Sequence, residues 1–220
     1  MIGFWNYTVI LTFMGLASSV IGMTAAMKGR FTMAIIFLAL SGLFDAFDGK
    51  VARTKKDRTD DEKLYGIQLD SLCDVICFGA YPALLCYKMG LVGILGTLIM
   101  VVYCIFAVTR LAYFNVLETG RQQEEGGANK DYHGLPVTSI SIIYPLVYLV
   151  NYWISGECKP IVLGAMLLIT GILFIVDFRV KKPTTRQLVL LILGVAAALI
   201  AAIYLYHYSR SMSFRWIVFW

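Results

Sequence analysis

The chain has 220 residues, 59% hydrophobic and 15% charged, with a formal net charge of +5 and a mean hydropathy of +0.74. An average soluble domain is about 45–50% apolar and about 25% charged, so composition argues against a soluble enzyme, a disordered chain or a secreted disulfide scaffold. At about 20 apolar residues per membrane-spanning helix, the length allows about seven spans and leaves no room for a sizeable soluble domain.

Apolar segments follow one another at residues 7–27, 31–47, 67–87, 91–117, 135–153, 160–178 and 187–207. Their lengths predict helices, with the second at the short end of what crosses a bilayer. They are continuously apolar rather than alternating, which argues against a closed β-barrel. The first starts almost at Met1 without a basic leader or a small-residue cleavage site, and so predicts a retained span. Breaks fall at Lys28-Gly29-Arg30, in the charged stretch 50–65, at Met89-Gly90, in the polar loop 118–134, at Ser155-Gly156-Glu157 and from Arg179 to Arg186. The closing stretch, Met212 to Trp220, mixes aromatics with Arg215 as an interfacial anchor does. The expected fold is an all-α polytopic membrane protein: one domain over residues 1–220, a bundle of about seven helices, between six and eight if one is re-entrant or lies flat. Of the cysteines, Cys73, Cys77, Cys86, Cys104 and Cys158, four lie in apolar stretches and none forms a CxxC pair. They read as small hydrophobic residues, not zinc ligands or disulfide partners.

Charge placement predicts orientation. If the 48–66, 110–134 and 179–186 connections share one side, that side holds 13 of the 19 basic residues. The positive-inside rule makes it cytoplasmic, with the N-terminus inside. The excess of basic residues therefore sets topology and does not describe a nucleic-acid surface.

The acidic residues say more. Asp45 and Asp48 are three apart on the second helix, and Asp70 and Asp74 are four apart on the third, so each pair shares a face. All four are expected at the cytoplasmic ends of their spans. A carboxylate in or near an apolar slab persists only when paired or metal-bound, and four exceed what Lys50 and Arg53 neutralise. Oxygen-only donors from two helices suit hard divalent cations, namely magnesium, manganese or calcium.

Read together, Asp45-x-x-Asp48-Gly49-x-x-Ala52-Arg53 and Gly66-x-x-x-Asp70-x-x-x-Asp74 resemble the signature of the CDP-alcohol phosphotransferase family, integral membrane enzymes that exchange the CMP of a CDP-linked lipid for an alcohol. The resemblance implies that Asp45, Asp48, Asp70 and Asp74 hold one or two ions, Mg2+ or Mn2+, and that Asp74 is the general base. It implies that Asp48, Gly49, Ala52, Arg53 and Gly66 seat the cytidine diphosphate, and that the protein is a homodimer. Small residues at 49, 52 and 66 would let a nucleotide approach two backbones, and Arg53 can fork onto a phosphate. The twelve residues between Arg53 and Gly66 exceed the family's usual spacing and are expected to form an enlarged polar loop, a change with a small entropic cost.

Three further stretches, Gln68-Leu69-Asp70-Ser71-Leu72-Cys73-Asp74 running into Phe78-Gly79-Ala80-Tyr81-Pro82, then Arg110-Leu111-Ala112-Tyr113-Phe114-Asn115, then His133-Gly134-Leu135-Pro136, resemble the serine-accepting branch of that family in bacteria and archaea. Tyr81 before Pro82 and Tyr113 depart from the branch's usual pattern, and the spans over 160–207 carry no motif. The branch implies CDP-diacylglycerol, or an ether-lipid equivalent, and L-serine as substrates. It also implies a prokaryotic plasma membrane with the site on the cytoplasmic side. Arg110, Asn115 and His133 are candidates for acceptor binding. For Arg110, the alternative is a side chain that snorkels to headgroups; for His133, it is a loop cap. His207 is expected at the outer interface. Another acceptor, glycerol 3-phosphate or inositol phosphate, is the nearest alternative function, and a divalent-cation transporter is the alternative from a different class.

Overall fold

The computed structural model describes residues 3–123, 131–152, 154 and 158–181, with isolated positions 194, 197 and 200. A short 3-10 turn at Tyr7–Val9 leads into α1 (Ile10–Met27), followed by α2 (Phe31–Ala52) and α3 (Asp60–Asp74). A π-helical stretch, Val75–Ala80, carries α3 directly into α4 (Tyr81–Lys88). Then come α5 (Gly93–Gln123), strand β1 (Asp131–His133), α6 (Ile140–Tyr152), α7 (Lys159–Ile175) and strand β2 (Arg179–Lys181).

The fold is helical, as expected, apart from a three-residue antiparallel ladder joining β1 to β2. Four described helices are long and apolar enough to cross a membrane: Tyr7–Met27, Phe31–Ala52, Asp60–Lys88 and Gly93–Gly120. Val137–Asn151 and Lys159–Ile175 are apolar but shorter. The expected seven spans are thus not reached among the described residues. The seventh segment at 187–207, apart from positions 194, 197 and 200, lies outside them, as do His207 and the closing anchor.

Two boundaries differ from the sequence reading. The second helix does not stop at residue 47 but runs to Ala52, because Asp48 is buried and only the last turn is polar. The charged stretch 50–65 is mostly helix. Thr59 and Glu62 form a reciprocal capping box that starts α3 at Asp60, each satisfying an otherwise orphaned backbone N–H. The loop proper is only residues 53–59, and Asp70 and Asp74 sit midway along the Asp60–Lys88 helix rather than at its end.

Close packing of α1 on α2 follows from a stripe of small buried residues, Gly15, Ser18, Ser19, Gly22, Ala25 and Ala26. In a membrane, such a stripe lets backbones approach. Ser18 Oγ donates to Phe37 O at 2.9 Å and Ser19 Oγ to Ser41 Oγ at 3.0 Å. A Cβ on Gly22 would lie 2.0 Å from the Tyr81 hydroxyl, which donates to Ala34 O at 2.5 Å and ties α4 to α2. Gly42 plays the same part between α2 and α6, since a Cβ there would lie 2.0 Å from Ser141 Oγ.

The π-helical stretch has a local cause. Pro82 has no N–H and its ring crowds the carbonyl of residue 78. The chain widens, Tyr81 N–H bonds Ile76 O, and the Phe78 carbonyl accepts instead from Tyr103 Oη of α5 at 2.6 Å. Such π-bulges gather at functional sites, and this one begins at the residue after Asp74.

Candidate active site

The two aspartate pairs meet where α2 crosses α3. One carboxylate oxygen from each of Asp45, Asp70 and Asp74 lies within 4.8 Å of the other two. Asp48 stands beside this trio, not in it. It is 8% exposed, its Oδ2 accepts from Thr12 Oγ1 of α1 at 3.2 Å, and its carboxylate comes within hydrogen-bonding reach of Asp70. Asp45 and Asp74 approach each other in the same way. A small cavity of about 10 Å³ lies between them, lined also by Thr12, Gly15, Ser41, Cys73, Cys77 and Phe78. It has room for one occupant about the size of a water molecule, so a nucleotide must lie outside it.

A divalent ion fits this donor set. Asp70 Oδ1 is buried with no hydrogen-bond partner among the described residues. The ion pairs found there, Lys55–Glu62 and Lys63–Asp60, leave all four aspartates without a basic partner. A cation stabilises clustered carboxylates in an apolar setting, and all-oxygen ligation favours a hard one.

The residues assigned to the nucleotide divide. Gly49 is exposed and no described residue lies within 4 Å of where its Cβ would be, so that face of α2 is open among the described residues. Ala52 is half-buried and Arg53 exposed at the end of α2. Gly66 is different: its missing Cβ would lie 2.7 Å from Arg58 Nη2, so the arginine of the polar insertion covers that face.

Of the acceptor candidates, Arg110 is 8% exposed, with its guanidinium 5.5 Å from the Phe114 ring centre. A side chain buried within the bundle is not one that snorkels to headgroups. Asn115 Oδ1 accepts from Ser71 Oγ at 2.6 Å and its Nδ2 donates to Gln68 at 3.4 Å, which joins α5 to α3 between the two aspartates. The His133 backbone pairs with Arg179 in the ladder. After it, Gly134 (φ +72) and Leu135 close the end of α7, with Gly134 N–H on Phe178 O and Leu135 N–H on Leu173 O. The His-Gly-Leu-Pro stretch therefore has a structural job. The sequence reading gives Thr12, Ser41 and Arg58 no role and takes Cys77 only as a small hydrophobic residue, although the Thr59-x-x-Glu62 box beside Arg58 is readable.

Fold and site together define a membrane-embedded helical bundle with a carboxylate-lined pocket on two neighbouring helices. The family model for CDP-alcohol phosphatidyltransferases matches residues 5–176, and the chain belongs to that family. It is similar to a CDP-diacylglycerol–serine O-phosphatidyltransferase of Helicobacter pylori, 28% identical over 155 residues, 68% of this chain and 61% of the relative. It is similar also to an archaetidylserine synthase of Methanothermobacter thermautotrophicus, 30% identical over 145 residues, 66% and 58% of the two chains. A Mycobacterium bovis CDP-diacylglycerol–serine O-phosphatidyltransferase is 27% identical over 213 residues, 88% and 70%. The match spans about three-fifths of the length of the first two relatives.

Proposed function

We propose that this chain transfers the phosphatidyl group of CDP-diacylglycerol, or of an ether-lipid equivalent, to the hydroxyl of L-serine, with CMP as the second product. The convergence of Asp45, Asp70 and Asp74 beside the open face at Gly49 carries the reading, and the serine-accepting relatives support the choice of acceptor. Asp74, 8% exposed at the end of α3, takes the proton of the serine hydroxyl. The serine oxygen bonds to the phosphorus that bears the lipid, and the bond from that phosphorus to CMP breaks. Asp45, Asp48, Asp70 and Asp74 would hold one or two magnesium or manganese ions, which when bound neutralise the diphosphate oxygens and the charge developing on CMP. Asp48, held by Thr12, also borders the nucleotide. Gly49 and Ala52 leave backbone open to it, Gly66 borders it beneath the Arg58 guanidinium, and Arg53 reaches a phosphate. Arg110 and Asn115 face the acceptor, Arg110 toward its carboxylate, with His133 as a further polar contact.

The working unit is a single domain over residues 1–220, assembled as a homodimer in a prokaryotic plasma membrane with the site facing the cytoplasm. Its lipid tails remain in the bilayer.

An acceptor panel tests the reading. Purified protein with CDP-diacylglycerol and manganese or magnesium should release CMP with serine, and not with glycerol 3-phosphate, inositol or inositol phosphate. Release with one of the others would reassign the acceptor, and metal flux into liposomes without CMP release would replace the enzyme by a transporter. Asp74→Asn should lower CMP release by about a thousandfold with the melting temperature kept; full activity would remove Asp74 as the base.

A further inference from the structure

The insertion between Arg53 and Gly66 is a built feature. Glu62 gathers three donors on its carboxylate: Lys55 Nζ at 2.8 Å, Asn6 Nδ2 at 3.2 Å and Thr59 N–H at 3.1 Å. The segment before α1 fastens it from outside, with Tyr7 Oη and Thr54 Oγ1 3.1 Å apart and the Phe4 ring edge-on to Tyr65 at 5.5 Å. Held in this frame, Arg58 turns inward onto α3. Its Nη2 donates to Glu62 O at 3.0 Å and fills the place a Gly66 side chain would take. Its Nε is buried and bonded to nothing among the described residues.

That is an unusual position for a guanidinium. It has five N–H donors in a planar fork and no acceptor, yet among the described residues it forms no ion pair, and the carboxylate of Glu62, whose carbonyl it bonds, is committed to Lys55. Gly66 and Asp70 are four apart on one helix, so the cation sits one turn from Asp70 on the same face. Asp70 Oδ1 is itself buried without a partner. Among the described residues, a guanidinium without an ion pair and a carboxylate with one unbonded oxygen thus stand one turn apart. The group that completes both carries several anionic oxygens, some to accept from the fork and others to share a metal with the carboxylates.

We propose that Arg58 binds the substrate's diphosphate, its guanidinium held over Gly66 by the insertion to take a phosphate oxygen beside the aspartate pocket. A residue outside the family signature thus supplements Arg53. Gly66 is glycine to make room for this arginine, and the nucleotide is gripped through it at that point.

The proposal rests on the reading of the chain as a CDP-lipid transferase, and the test separates the two. Full-length protein in detergent with manganese is titrated calorimetrically with CDP and, separately, with cytidine. Wild type binds CDP; absence of that binding counts against the transferase reading itself. Arg58→Gln lowers CDP affinity about tenfold or more and leaves cytidine affinity unchanged, and KM for CDP-diacylglycerol rises in step. Arg58→Lys keeps the charge but loses the fork, folds with the frame intact, and falls between the two. Wild-type CDP affinity in either variant, with wild type binding CDP, overturns the role of Arg58. An equal loss of CDP and cytidine affinity also overturns it, since that is the signature of a residue that merely shapes the loop.

Discussion

Thr12 is the one described side chain outside α2 and α3 that donates to an aspartate of the pocket, and replacing it by valine isolates that bond. The Thr12 Oγ1 to Asp48 Oδ2 distance is 3.2 Å, long for a charge-assisted bond, and Asp48 is 8% exposed. A hydrogen bond to a charged group contributes about 1.5–3 kcal/mol, and the length puts this one near about 1.5 kcal/mol. About 1.4 kcal/mol is a factor of ten, which falls within the 10–100-fold range for losing a residue that orients a metal ligand. Thr12→Val should therefore raise the manganese dissociation constant about tenfold, with CMP release largely recovered at saturating metal. Free manganese followed by electron paramagnetic resonance measures the constant directly. Thr24→Val is the control, because Thr24 is exposed and donates only to Ile21 O of its own helix. An unchanged manganese affinity in Thr12→Val would refute the claim that α1 helps to set the metal pocket.

Other expectations follow from packing. In Gly42→Ala the new methyl would stand 2.0 Å from Ser141 Oγ and 2.5 Å from its Cβ, so α6 must move off α2. Overpacking of this kind costs about 1–3 kcal/mol, read as a lower melting temperature in detergent that Ser141→Gly relieves and Ser141→Ala does not. Tyr103→Phe leaves the Phe78 carbonyl without the bond that replaces the one Pro82 cannot make, at about 1–3 kcal/mol for a buried unsatisfied group; a wild-type melting temperature would contradict the account of the π-helical stretch. Glu62→Ala removes three donors' shared acceptor, and trypsin should cut the 53–59 loop several-fold faster than in wild type. An unchanged cleavage rate would mean that the frame around Arg58 does not depend on Glu62.

Sequence alone determined the class of fold and the helix faces that carry the aspartates. Runs of apolar residues longer than a bilayer is thick have to be helices, because no other local structure satisfies every backbone polar group without water. The 3- and 4-residue spacings of the aspartates placed each pair on one helix face before any tertiary contact was known. Those statements depend only on the 3.6-residue period and on solvation, both of which are local. Tertiary structure decided what depends on how helices cross. That Asp45, Asp70 and Asp74 form the trio while Asp48 turns to Thr12 follows from the small-residue stripe that draws α1 against α2. That Gly66 faces an arginine rather than open space follows from an insertion folded back by Glu62 and the residues before α1. Such contacts join residues as many as 56 positions apart, and no pattern along the chain encodes them.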